Sequence, residues 1–175
     1  MTRELVVRAP GKLILLGEYA VLHGHAALVV AVDRYAECRV DVDGPPGVFG
    51  GAYGEFPFID GRPAPGNTLP FARALLHARK QRQPAVAYHL STDALHVAVP
   101  GNAAKLGLGS SAAATVALAG AVLAVRGVPL DARAQRRVFR SAQIAHRMVQ
   151  GSGSGADVAA SSLGGALAYQ WFDNG

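Results

Sequence analysis

The chain has 175 residues, half of them hydrophobic and 17% charged, with a formal net charge of +5. That length suits one domain able to bury about two-thirds of its unfolded surface, and the composition excludes a disordered chain. A basic balance favours an anionic partner, but lysines and arginines are scattered and aromatics make up only 7%, so the basic stripe with stacking residues that nucleic acid asks for is missing.

The chain holds one cysteine, Cys38, which cannot build a disulfide framework by itself. A small buried hydrophobe in a reducing compartment is the reading it favours. Residues 1–10 contain no long apolar run of a secretory signal. The uncharged run Ala112 to Val125 is 14 residues long, shorter than a membrane span and suited to a buried helix. The expectation is a soluble, cytoplasmic protein with no membrane partner.

Leu5-Val6-Val7 reads as a first strand interrupted by Pro10-Gly11, and Leu13 to Leu16 and Leu28 to Val32 as further apolar stretches. From Tyr35 to Val42 apolar and polar residues alternate, the period of a half-buried strand. Gly44 to Gly66 is rich in Gly and Pro and reads as an irregular loop or lid. Thr68 is placed to cap a helix running to about Arg82 with Leu69, Ala72, Leu75 and Leu76 inward. Ala85 to Leu90 and Ala94 to Val99 read as two strands joined through Ser91-Thr92-Asp93. One helix is expected from Ser110 to about Arg126, stopped by Gly127, and another from Asp131. In the second, Leu130, Ala134, Val138, Ala142, Ala145 and Val149 form the apolar stripe, and the arginines a solvated face. A short helix from Val158 to Leu163 and a strand from Gly165 to Phe172 close the chain. Strands in runs with helices packed late argue α+β.

Two glycine-serine loops carry the chemistry. In the first, Lys105-Leu106-Gly107-Leu108-Gly109-Ser110-Ser111 lies between a strand and an apolar helix. Gly107 and Gly109 let the backbone approach a ligand and adopt positive φ. Ser110 and Ser111 sit at a helix start, with its unpaired N–H groups and positive dipole end, a ready anion site. The serine hydroxyls can bond a phosphate oxygen or ligate magnesium, and Lys105 can reach the same anion. The plainer alternative is a tight strand–helix turn with a serine cap. No Gly-Lys-Ser/Thr follows, so this is not a Walker loop, and the later glycine of a dinucleotide fingerprint is missing. In the second loop, Gly151-Ser152-Gly153-Ser154-Gly155-Ala156-Asp157, the aspartate is either presented at a close-packed site to accept or orient an acceptor hydroxyl, or caps the following helix.

Gly-Leu-Gly-Ser-Ser-Ala-Ala at 107–113 resembles the second signature of the GHMP kinases, where that superfamily holds ATP phosphates. Ala9-Pro10-Gly11-Lys12 through Gly17-Glu18-Tyr19-Ala20-Val21-Leu22-His23-Gly24 resembles the first signature of its mevalonate-pathway members. The two signatures stand in the family's order. Asp157 matches the catalytic aspartate of the mevalonate kinases. Gly-Ser-Gly-x-Asp-Val-Ala at 153–159, Lys105 and Gln143 to His146 are closer to the phosphomevalonate kinases.

The resemblance implies an α+β GHMP N-terminal domain over residues 1–175, of ribosomal-protein-like fold, matching the first half of a family enzyme. The family's C-terminal domain carries a third signature. It implies ATP and Mg2+ as cofactors. Lys105, Gly107, Leu108, Gly109, Ser110 and Ser111 would hold nucleotide, and Ser111 the metal. Asp157 and Lys12 would be catalytic, with Glu18, His23 and Ser154 at the acceptor. The implied acceptor is phosphomevalonate or mevalonate. A galactokinase-like or homoserine kinase-like enzyme, a nucleotide-binding module without turnover and an RNA binder are the rivals. One departure stands out. Mevalonate kinases supply magnesium with a glutamate about one helix-length before the aspartate, and no Asp or Glu occurs between Asp131 and Asp157 here.

Overall fold

The computed structural model describes residues 5–79, 81–99 and 102–171. The elements, in chain order, are β1 (Leu5–Leu16), β2 (Ala26–Asp41), β3 (Gly47–Phe49), β4 (Glu55–Ile59), β5 (Arg62–Pro63), α1 (Pro70–Ala78), β6 (Ala87–Ser91), β7 (His96–Val99), β8 (Asn102–Lys105), α2 (Ser110–Val125), α3 (Ala132–Gln150), α4 (Ala156–Leu163) and β9 (Ala166–Gln170). This is the expected α+β class.

Strand β2 organises the sheet, whose order is β1-β2-β6-β3-β4-β5. At 16 residues it is long enough to pair antiparallel with β1 along one side. On its other side it pairs with β9 through Ala26–Val30 and with β6 through Glu37–Asp41. The expected break at Pro10-Gly11 does not end β1. It becomes a register shift between Pro10 and Lys12, since proline can sit where the ladder asks no N–H of it.

Helix α2 lies under the sheet against β1 and β2 and also touches α1, α3 and α4. It is apolar on every side and buried from Ala112 to Leu123 except at Ala114, as an all-apolar helix requires. Val7, Cys38, Val40 and Tyr88 from the sheet pack with Val116, Leu118, Val122 and Leu123 of α2 and with Leu75 and Leu76 of α1. Cys38 is fully buried, and burial pushes its thiol pKa well up. Helix α3 is amphipathic. Asp131 caps it by accepting a bond from the Ala134 N–H at 2.8 Å, and Gly151 ends it in the left-handed conformation. Ala134, Val138, Ala142 and Ala145 face the core, while Leu130 and Val149 at the ends of the expected stripe are exposed and His146 is buried in their stead.

Four other expectations are corrected. Thr68 does not cap α1. Its hydroxyl donates to the Glu55 carbonyl oxygen at 2.7 Å, Leu69 occupies the cap position with φ 47°, and the helix stops at Ala78 rather than near Arg82. The segment 44–66 is not irregular throughout, because β3, β4 and β5 extend the sheet there. Strand β7 does not pair with β6; it turns back on β8 as a separate two-stranded ribbon that holds Lys105. Last, α4 begins at Ala156 with Gly155 as its cap, so Asp157 is inside the first turn rather than before it.

Candidate active site

The first glycine loop hangs from the end of β8 and feeds α2. Gly107 and Gly109 both hold φ 72°, a conformation costly for residues with a Cβ. Ser110 opens α2, so the helix presents its unpaired N–H groups and positive end at this point. The loop is fastened to β1: the Lys12 backbone N–H donates to the Leu108 carbonyl oxygen at 2.9 Å, and Lys12 Nζ donates to that of Gly107 at 3.5 Å. The approach is close. A methyl group on Gly109 would sit 3.1 Å from Lys12 Cγ and 3.6 Å from Asp157 Cβ.

Asp157 arrives on the first turn of α4, where an acidic side chain suits the helix dipole. Its Oδ1 accepts from the Val158 N–H at 2.8 Å. The second glycine-serine loop is held by Tyr169 of β9, whose hydroxyl donates to the Ser154 carbonyl oxygen at 2.6 Å. Burial first, and then the Asp157 carboxylate, raise the Tyr169 pKa, so the phenol stays protonated and remains a donor. The Ser154 side chain is buried and its Oγ accepts from the Ala156 N–H at 3.3 Å.

An open cleft of about 200 Å³ lies between these parts, lined by Lys12, Ser154 and Asp157. Its far wall is the last turns of α3, which supply Gln143, His146, Arg147 and Gln150. These positions, separated by three, one and three residues, share one helix face. The Arg147 guanidinium lies 5.6 Å from the centre of the Trp171 ring. Lys12 and Arg147 thus line the same cleft as Asp157.

A second cleft of about 240 Å³ opens beside Ser110 and Ser111. Its lining is mostly apolar and includes Tyr53, Leu69, Phe71 and Leu90. Tyr53 is held by a short chain of bonds. His96 Nδ1 lies 2.7 Å from the Thr92 carbonyl oxygen, which can only accept, so Nδ1 carries the proton and Nε2 accepts from the Tyr53 hydroxyl at 3.0 Å.

The structure therefore brings Lys12, Gly107, Leu108, Gly109, Ser110, Ser111, Ser154 and Asp157 to one locus. Glu18 and His23 are exposed on the turn and 3-10 segment after β1, and Leu22, not His23, lines the cleft. Strand β8 ends at Lys105, but the Lys105 side chain is outside the described residues. Sequence reasoning treated the α3 arginines as a solvated face and gave no role to His146, Arg147, Tyr53 or Phe71. The cluster of polar residues at 143, 146, 147 and 150, on one face of the helix and just before a glycine loop, was the available signal.

Magnesium is tested by the donor set. Among the described residues no three His, Cys, Asp or Glu side chains cluster as a metal site. A hard cation that keeps several waters and takes most of its oxygens from phosphates fits the Ser111 hydroxyl at the helix start.

Residues 71–165 match the family model described as GHMP kinases N terminal domain. The chain is 37% identical over 194 aligned residues to a phosphomevalonate kinase of Streptomyces sp. (strain CL190), covering 96% of this chain and 50% of that protein. It is 31% identical over 182 residues to a mevalonate kinase of Aeropyrum pernix, covering 99% of this chain and 53% of the relative. Its fold superposes with a TM-score of 0.75 on a Streptococcus pneumoniae phosphomevalonate kinase solved in complex with phosphomevalonate and AMPPNP, at 23% identity and covering 97% of this chain and 50% of that one. The chain thus spans about half the length of the curated relatives it matches. No helix among the described residues is long and apolar enough to cross a membrane.

Proposed function

This chain belongs to the GHMP kinase family through its N-terminal domain, and from that premise we propose that it serves ATP-dependent phosphoryl transfer to phosphomevalonate or mevalonate, with the phosphorylated acceptor preferred. The observation that carries the reading is the convergence of Lys12 and Asp157 on Gly109 at the start of α2, close enough that a Cβ on Gly109 would touch both. An anion-binding helix end, a cation and a carboxylate are the parts that positioning and electrostatic catalysis of phosphoryl transfer needs.

The nucleotide phosphates rest on the Gly107–Ser111 loop, and the apolar cleft beside Ser110 and Ser111 takes the base. The acceptor occupies the cleft in front of Asp157. Its oxygen forms a bond to the terminal phosphorus as the bond from that phosphorus to the ADP oxygen breaks. A hydroxyl acceptor gives its proton to the Asp157 carboxylate. A phosphate acceptor arrives largely ionised, and Asp157 then orients rather than deprotonates it. Lys12 neutralises charge on the oxygens in flight. Ser111 and the phosphates would hold magnesium, which when bound supplies further charge neutralisation. Arg147, set against Trp171 on the acceptor side, gives the cleft a second cation and so favours the acceptor of higher negative charge.

The test is ADP release with phosphomevalonate, mevalonate, galactose and homoserine as acceptors, on a protein of the relatives' full length. Turnover with phosphomevalonate, and less with mevalonate, is expected. Turnover with galactose or homoserine alone defeats the reading.

A further inference from the structure

His146 lies near the C-terminal end of α3, is 4% exposed and lines the acceptor-side cleft. One face of its ring packs on Phe71, centroids 4.4 Å apart and planes inclined by 32°, and Phe71 lines the second cleft beside Ser110 and Ser111. The imidazole therefore stands in the partition between the two clefts. Among the described residues neither of its nitrogens has a partner at hydrogen-bonding distance and angle. The Ser111 backbone, the Gln150 side chain and the Asp157 carboxylate face the ring, but none meets it in bonding geometry.

A buried imidazole with two idle nitrogens is unfavourable, because buried polar groups that lose water without gaining a partner destabilise the fold. Phenylalanine would fill the same space against Phe71 without that cost. The nitrogens are accounted for if their partner arrives with the ligand. Anionic ligands bring acceptor oxygens, so the ring's contribution is an N–H. Burial, outweighing the nearby Asp157 carboxylate, holds the His146 pKa below its ordinary value, which leaves a neutral ring with one donor and one acceptor.

We propose that the His146 imidazole donates a hydrogen bond to an oxygen of the nucleotide's terminal phosphoryl group, at the point where that group passes from the Ser110–Ser111 side of the partition to the Asp157 side. The inference rests on the phosphoryl-transfer reading given above and adds a contact specific to the group transferred. The position dictates a selectivity: the contact exists with ATP and is absent with ADP.

Calorimetric titration of a protein of the relatives' full length with ATP and with ADP, each with magnesium, tests this in the wild type, His146→Phe and His146→Gln. In His146→Phe, ATP affinity should fall about tenfold, the value of one good charge-assisted bond. ADP affinity should stay within about twofold, and the Tm should hold or rise as two unpartnered nitrogens leave the core. Glutamine restores an N–H donor and should recover part of the ATP affinity. Equal losses for ATP and ADP mark a structural role and overturn the proposal, as does no loss for either. A wild type that binds neither nucleotide removes the phosphoryl-transfer reading and this contact together, whereas unselective His146→Phe behaviour in a binding-competent wild type removes only the contact. Should His146→Phe not fold, the ring 15N resonances of His146 in the wild type decide: a shift with ATP and none with ADP supports the contact, and any other pattern refutes it.

Discussion

Asp157 has two chemical lives that one substitution separates. Its Oδ1 accepts the Val158 N–H, a local bond that an amide oxygen can make equally well. Its charge belongs to the cleft that it lines with Lys12. Asp157→Asn is expected to leave the Tm and nucleotide affinity nearly unchanged and to lower the catalytic rate with mevalonate by roughly 10²–10⁴, the range of a lost general base, and by less with phosphomevalonate, which Asp157 only orients. Thermal melts, calorimetry and steady-state kinetics on a protein of the relatives' length check it, and full activity in the variant returns Asp157 to a merely structural part. Gly109 offers the converse case. With φ 72° and Lys12 Cγ 3.1 Å from where a Cβ would be, any side chain here strains the backbone and crowds Lys12. Gly109→Val should abolish nucleotide binding measured by calorimetry. Unchanged affinity with the fold intact by circular dichroism would remove the loop from the site.

At the scale of elements, the sequence was informative where local rules decide. The uncharged run 112–125 became the buried helix α2, and the stripe from Ala134 to Ala145 became the inner face of α3. Its cap gives a direct check. Asp131 is exposed and bonds the Ala134 N–H at 2.8 Å, so Asp131→Ala should cost about 1 kcal/mol of stability, read as a lowered denaturation midpoint with unchanged m-value. Sequence reasoning failed where distant partners decide. Whether β7 meets β6 or β8 is settled by pairing that no window of sequence contains, and Thr68 left its expected cap because the Glu55 carbonyl, 13 residues away, offered its hydroxyl a bond. The site divided the same way. The glycine loops announce themselves by residue type. His146 and Arg147 gain meaning only because α3 ends against α4 and the start of α2, which turns two residues of a surface-like helix into the wall of a cleft.

For the whole molecule the question is how much of a reaction centre this arrangement supplies. Lys12 from β1, Ser110 and Ser111 from α2, His146 and Arg147 from α3, and Asp157 from α4 meet at one locus, so a distant strand and three consecutive helices fix the phosphate and acceptor sides together. Both clefts are open to solvent, however, and water competes for every charge in them. A phosphoryl group held in open water gains little from Lys12 or the α2 dipole, because electrostatic stabilisation is large only where water is kept out. The curated relatives are about twice as long, and the resemblance places a third glycine-rich signature in the portion this chain does not span. The 175-residue chain alone is therefore expected to bind Mg-ATP weakly and to turn over slowly or not at all. Fusing it to the C-terminal half of the Streptomyces relative should raise ADP release in the presence of phosphomevalonate by orders of magnitude while strengthening nucleotide binding less. Coupled ADP assays and calorimetry on the two proteins side by side make the comparison. Robust turnover by the 175-residue chain would mean that the four elements already exclude enough water by themselves, and that closure from outside is not what completes this site.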